Sequence, residues 1–425
     1  MTDPESLADR VQEGDLRIHE LEAEADFDTA AEARRLLVER ETETDLETIG
    51  DYSFPAERAE PNIENMIGAA QVPLGVVGPV AVNGEETSPS SQNSPNSANE
   101  GGAASGEHYL PLATTEGALL ASVNRGLSVI RSAGGADARV TKNGMTRAPV
   151  FRVEGVAEAA ETVEWVEENL ESLREAAEST TSHGELLGVE PYVVGDSVYL
   201  RFAYDTKDAM GMNMATIATE AACEVVEEET PASLVALSGN LCSDKKPAAV
   251  NAVEGRGRSV TADVVIPGDL VKDRLHTTAE AIVEANTRKN LIGSAKAGSL
   301  GFNAHAANVV GAAFLATGQD EAQVVEGANA ITTMDARANE DGTTDLYASV
   351  SLASLEVGTV GGGTKLPTQA EALEILGLRG GGDPAGSNAN ALAEIIAVGA
   401  LAGELSLLAA LASNHLASAH EDLGR

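Results

Sequence analysis

Lysine is nearly missing from this chain: eight residues in 425, against twenty arginines and 67 acidic side chains. Solvation is left to Asp, Glu and Arg, so a lysine needs a reason wherever it occurs. Cysteine is as scarce. Cys223 and Cys242 have no metal-ligand spacing and are too few for a disulfide framework, which predicts reduced thiols in a reducing compartment. No apolar run follows the acidic start Met1-Thr2-Asp3-Pro4-Glu5, so no secretory signal peptide is expected. The longest apolar stretch, 391–412, is interrupted by Glu394 and Glu404 and is rich in Ala and Gly, which predicts a buried helix and no membrane span. The shortage of positive charge leaves a net charge of −39 and a pI near 4.4, excluding nucleic acid and anionic membranes as partners. That charge is spread along the whole chain. It predicts a halophilic, cytoplasmic protein of a high-salt cytosol, where a carboxylate surface stays soluble and its self-repulsion is screened.

Hydrophobic residues make up 43% of the chain, enough for a sizeable globular core. Residues 1–62 read as short amphipathic helices with acidic faces, such as 30–40. Pro and Gly punctuation makes 72–80 strand and turn. Residues 86–106 have no apolar periodicity and predict a flexible surface loop. A helix is expected over 113–131, with Thr114 or Thr115 near its start. Between 148 and 238 the pattern is strand (149–153), acidic helix (158–178), strands (190–194 and 197–204), helix (212–228) and strand (232–237). This is the βαββαβ order of a ferredoxin-like unit. Further on, helices are expected over 303–316 and 320–331, and a strand over 349–357.

Two of the eight lysines are adjacent. Lys245 and Lys246 sit between Asp244 and Pro247. Side by side, two amines can stabilise an oxyanion, and one partly desolvated next to a second cation is a plausible catalytic group. The turn from Gly358 to Thr364 follows the last strand. Its order, Gly363-Thr364-Lys365, is not that of a P-loop, and its backbone amides either cradle a phosphate or make a structural turn. Met210, Met212 and Met214 fall within five residues beside Gly211; they either pack a core or mark a helix start that receives a pyrophosphate. His415 and His420 lie five apart, off a shared helical face, so no metal site is expected. Glu116 and Asp320 each sit at an expected helix start, where capping and proton chemistry both remain open.

Together, Glu64-Asn65-Met66-Ile67-Gly68, Leu112-Ala113-Thr114-Thr115-Glu116-Gly117, Gly144-Met145-Thr146-Arg147, Asp208 to Met214, Asp244-Lys245-Lys246-Pro247, Asn303-Ala304-His305-Ala306-Ala307-Asn308, Gly318-Gln319-Asp320 and Gly358 to Thr364 form a set. In this order the chain closely resembles the catalytic part of the biosynthetic class of the 3-hydroxy-3-methylglutaryl-CoA (HMG-CoA) reductase family, from about residue 62 to the C-terminus. The membrane-anchoring region of eukaryotic members is not expected. The resemblance implies an α+β fold, with a large domain around a long central helix and an inserted ferredoxin-like small domain. The divisions expected are an N-terminal helical region at 1–62, the large substrate-binding and dimerisation domain at 63–147 and 239–425, the small NADP-binding domain at 148–238, and the insertion at 86–106.

The resemblance also implies roles. Glu116, Lys245, Asp320 and His420 look like the catalytic set. Ser122, Arg125, Arg147, Ser238, Asp244, Lys246 and Asn308 look like substrate contacts. Ser182, Asp208, Met210, Gly211, Met212, Asn213, Gly358, Thr359, Val360, Gly361 and Gly362 look like the cofactor site. The reaction implied is reduction of HMG-CoA to mevalonate and CoA by two NADPH, without a metal, in a homodimer or higher homo-oligomer whose active site lies between subunits. Lys245 would stabilise the oxyanion, His420 would protonate the CoA thiolate, Glu116 would supply a proton, and Asp320 would sit between Lys245 and Glu116. Two departures stand out. The 86–106 stretch is longer than usual in the family, and Ser182-His183-Gly184 lacks the arginine that biosynthetic relatives often place by the 2′-phosphate, which weakens NADPH against NADH. A degradative, NAD-dependent mevalonate oxidation and a non-catalytic scaffold of the same fold are the competing expectations. The serine that follows the C-terminal histidine in eukaryotic relatives is absent, so no phosphorylation switch is expected there.

Overall fold

The computed structural model describes residues 3–83 and 103–413. Most of the expected insertion, together with His415 and His420, lies outside the described residues. At the N-terminus, the helices Pro4–Gln12 and Phe27–Thr42 are capped by Asp3 and Asp26, whose side chains accept from the amides of Ser6 and Thr29. They close a small core of Leu7, Leu21, Ala30 and Ala33.

Strands β1 (Leu74–Val82) and β2 (Gly106–Ala113) form an antiparallel pair. The remaining strands make one eight-stranded sheet: β3 (Asp137–Arg147), β4 (Val150–Arg152), β5 (Glu185–Val194), β6 (Ser197–Asp205), β7 (Ser233–Ala236), β8 (Gly257–Ile266), β9 (Ala330–Ala338) and β10 (Thr344–Leu355). β3 joins its two halves. Asp137 to Gly144 pair with β8, while Met145 to Arg147 pair with β6. One half runs β7-β4-β6-β5, all antiparallel, with the helices Val156–Glu168, Leu170–Glu178 and Met212–Glu229 over a core centred on Phe151, Phe202 and Tyr204. This is the split βαβ order of a ferredoxin-like unit.

The other half, β3-β8-β10-β9, packs on the helix Ser387–Ala412. That helix is long and apolar enough to cross a membrane, yet 83% of its most apolar window is buried inside the protein. A helix apolar all round has no solvent face to offer and becomes a core element. Helix Leu119–Ser132 crosses it at Gly126, where a Cβ would lie 2.0 Å from the carbonyl oxygen of Ala402. The α+β architecture with a central helix and a ferredoxin-like insert is therefore present as expected.

Three local expectations are corrected. The helix expected over 113–131 begins only at Leu119, because Gly106–Ala113 pairs with β1 and Ala118 turns left-handed at φ 66°. The acidic helix expected over 158–178 is two helices, broken at Asn169, whose side-chain amide donates to the Trp165 carbonyl at 2.8 Å. The helix expected over 320–331 shrinks to a 3-10 turn, Glu321–Gln323, and one helical turn, Val324–Gly327, before β9 starts.

Candidate active site

The two lysines sit in the loop between β7 and the helix Ala249–Glu254. Three residues with side chains take left-handed backbone there: Asn240 (φ 62°), Ser243 (φ 49°) and Lys245 (φ 60°). Such backbone persists only when the surroundings impose it. The Lys245 amide donates to Glu326 Oε1 at 2.8 Å, and its ammonium pairs with Asp320 Oδ2 at 2.9 Å. The ion pair is half-open, with the two side chains 46% and 29% exposed. The Asp320 carboxylate beside it raises the Lys245 pKa, so the amine stays protonated. Asp320 does two jobs: Oδ1 caps the 3-10 turn by accepting from the Ala322 amide at 3.1 Å, and Oδ2 holds Lys245. Neighbouring Glu321 is pushed up to about 7 by burial and by the Asp320 charge.

Asp244 faces inward. Its Oδ1 accepts from Gln323 Nε2 at 2.8 Å and pairs with Arg256 Nη2 at 3.1 Å. Lys246 is exposed and its ammonium donates to the Asp244 carbonyl at 3.0 Å. Ser238 rests against Cys242. Arg147 ends β3 at the junction of the two half-sheets, where its Nε is buried without a hydrogen-bond partner among the described residues. Ser122 and Arg125 both bind Ser406 of the central helix, at 2.9 Å and 3.0 Å. Asn308 lies 3.4 Å from His305 Nδ1.

Glu116 is not in a helix. It is exposed in the loop after β2, its amide bonded to Thr114 Oγ1 at 2.9 Å, and its carboxylate has no side-chain partner among the described residues. Within one chain, then, Lys245 and Asp320 meet and Glu116 does not join them.

The segments read as a cofactor site do converge. The Asp208 side chain is buried; it accepts from the amides of Gly382 (2.9 Å), Gly386 (2.7 Å) and Ala389 (3.1 Å), which begin the central helix. The carboxylate thereby holds the loop that leads into the central helix. The Thr359 amide donates to the Asp208 carbonyl at 2.8 Å, and Val360 bridges to Ala209. A Cβ on Gly358 would lie 2.4 Å from the Met210 amide nitrogen, so only glycine lets the turn and the 208–214 segment touch. Gly211 at φ 87° opens helix Met212–Glu229. The exposed turn Ser182-His183 is drawn to the same helix start, because Gly184 packs on Met214. The glycine turn thus lies directly against the residues that lead into the helix Met212–Glu229.

Further side chains, not marked by any motif role in the sequence, support these segments. Gln319 clamps Gly358 by two bonds, at 2.8 and 3.0 Å. Gln323, Glu326 and Arg256 stand behind the lysine loop. One signal was available: Gly255 and Gly257, at φ 75° and 72°, flank Arg256 and mark a backbone shaped to bury it. Among the described residues, no cluster of three or more His, Cys, Asp or Glu side chains could hold a metal ion.

A sequence profile described as hydroxymethylglutaryl-coenzyme A reductase matches residues 30–425. Among similar proteins is the 3-hydroxy-3-methylglutaryl-coenzyme A reductase of Haloferax volcanii, 73% identical over 425 residues and covering 100% of both chains. Its counterpart from Halobacterium salinarum is 69% identical over 424 residues, covering 100% of this chain and 99% of its own. That of Methanothermobacter thermautotrophicus is 53% identical over 422 residues, covering 99% of this chain and 100% of its own. Of solved structures, the NADPH-bound class II 3-hydroxy-3-methylglutaryl-CoA reductase of Streptococcus pneumoniae superposes with a TM-score of 0.64 at 22% identity, over 89% of this chain and 96% of that one. At that identity the likeness concerns the fold.

Proposed function

This chain belongs to the hydroxymethylglutaryl-coenzyme A reductase family, and on that premise we propose that it reduces HMG-CoA to mevalonate and free CoA with two NADPH, feeding isoprenoid biosynthesis. The observation that carries the reading is the Lys245–Asp320 ion pair on an exposed, conformationally forced loop. Bound NADPH supplies hydride, once for the thioester and once for the aldehyde. In both reductions the carbonyl oxygen gains negative charge, and the Lys245 ammonium, kept protonated by Asp320, is the group to stabilise it.

The departing CoA thiolate needs a proton, a role for His420. Glu116 supplies a proton to the alkoxide, and its exposure suits a residue offered to a neighbouring subunit. Arg147 and Lys246 hold the free carboxylate of the substrate. Arg147 is suited to this by its unpartnered Nε and its forked guanidinium. Ser238 and Asn308 bound the same pocket, while Ser122, Arg125 and Asp244 support it through their bonds to Ser406, Gln323 and Arg256. Met210 to Asn213 and the turn from Gly358 to Gly362 cradle the cofactor, with Asp208 as their anchor and Ser182 at the edge.

The test is absorbance loss of each nicotinamide cofactor with HMG-CoA in molar KCl. Oxidation of two NADPH per CoA released is expected, with NADH used less well; no oxidation of either would end the reading, and equal use of both would end the phosphate preference. Lys245→Ala should abolish reduction of both HMG-CoA and free mevaldehyde. Normal aldehyde reduction by that variant would rule out the oxyanion role.

A further inference from the structure

Behind the lysine loop lies a second charged cluster, which touches the site segments at Asp244, the Lys245 amide and Met212. Arg256 is fully buried. Its Nη1 is 3.0 Å from Glu356, 3.4 Å from Glu326 and 3.1 Å from Gln323 Oε1; its Nη2 is 3.1 Å from Asp244 and donates to Met212 Sδ at 2.9 Å. Glu326 and Glu356 are also fully buried. Three carboxyl groups around one guanidinium are expensive to bury, and hydrophobic replacements commonly stabilise such sites. The cluster therefore asks for a use.

Glu326 supplies one. The oxygen that faces Arg256, Oε1, is the same atom that accepts the Lys245 amide at 2.8 Å. That amide belongs to the residue whose left-handed φ of 60° aims its ammonium at Asp320. Arg256 also grips the preceding residue, Asp244, so both ends of the Asp244–Lys245 peptide are tied to one guanidinium. The second oxygen of Glu326 has no hydrogen-bond partner among the described residues. A glutamine could put its amide nitrogen there and keep Oε1 where it is.

We propose that Glu326, locked by Arg256, is a positioning residue for the Lys245 ammonium: it accepts the Lys245 amide, enforces the left-handed backbone, and so sets the ion pair with Asp320. The proposal rests on the reductase reading for its kinetic consequence but not for its geometric one. Misplacing a group by about 1 Å can cost a hundredfold in rate. Glu326→Leu removes the acceptor at similar volume, and it should lower kcat at least about tenfold while moving KM for HMG-CoA by no more than about twofold. Glu326→Gln keeps the acceptor and should hold kcat within about twofold, even if it melts earlier.

The second readout needs no turnover. Reductive methylation followed by peptide mass spectrometry reports how fast each lysine amine reacts. Released from Asp320, Lys245 should label several-fold faster in Glu326→Leu, with exposed Lys296 as the unchanged internal reference. Wild-type kcat in Glu326→Leu, unchanged Lys245 labelling in that variant, or a tenfold kcat loss in Glu326→Gln would each overturn the proposal. If the wild-type protein reduces no HMG-CoA, the functional reading fails alone, and the labelling arm still decides the positioning.

Discussion

Glu394 sits in the N-terminal third of the central helix, 2% exposed, and accepts from the amides of Ala104 at 2.9 Å and Val140 at 3.3 Å. Burial pushes its pKa up to about 7, against an ordinary value of 4.5. The folded protein therefore holds this carboxyl neutral in a range where the unfolded chain ionises it. Its contribution to stability is complete below about pH 4.5 and is lost as the pH rises through about 7, a swing of about 3 kcal/mol at most. Glu394→Gln cannot ionise. The melting temperature of the variant relative to wild type should therefore climb between pH 4.5 and 7 and level off above. A difference flat across that range would mean the carboxyl titrates normally. Residue-scale chemistry was partly legible in sequence. Scarcity singled out Lys245, and Asp320, read as either a cap or a catalytic group, caps a turn and also pairs with Lys245. Glu326 was invisible, because it meets Lys245 across 81 residues and nothing local announces the contact.

Elements carry the next layer. The central helix and the βαββαβ order were readable because each rests on a period: apolar all round for the first, switching between helix and strand spacing for the second. β3 was not, since Thr141-Lys142-Asn143-Gly144 breaks its alternation just where the strand passes from β8 to β6. The helix start before Leu119 was misplaced for a related reason: the strand pairing of β2 overrides the local propensity of Thr114 to Gly117. The contact between the turn at Gly358 and the Asp208–Met214 segment is of this kind too, a meeting of two elements visible only in three dimensions. Gly358→Ala would drive a methyl to within 2.4 Å of the Met210 amide nitrogen and prise the two apart. KM for NADPH should rise at least about tenfold while KM for HMG-CoA moves far less, in steady-state kinetics with each substrate varied in turn. Equal changes in both would mean that the turn supports the whole site and not the cofactor side.

At the scale of the molecule, no bond joins Glu116 to the Lys245–Asp320 pair among the described residues of one chain. Lys245 and Asp320 form a half-exposed pair, whereas Glu116 is exposed on another loop, without a side-chain partner among the described residues. A carboxyl that is to give a proton to an alkoxide must come close to the group that holds that oxygen. A two-fold dimer solves this if Glu116 of one copy faces Lys245 of the other, since an isologous interface makes two identical composite sites. The arrangement predicts complementation. Glu116→Gln and Lys245→Ala homo-oligomers should each be inactive. In a mixed dimer, both lesions fall in one site and the other site is wholly native. Random exchange of equal amounts should therefore restore about a quarter of wild-type activity. The charge of −39 favours exchange at low salt, where unscreened repulsion loosens subunit contacts, so mixing belongs there and the assay in molar KCl. Exchange verified by mass-tagged subunits, yet with no activity recovered, would place Glu116 and Lys245 in the same chain's site and require the Glu116 loop to close over its own lysine.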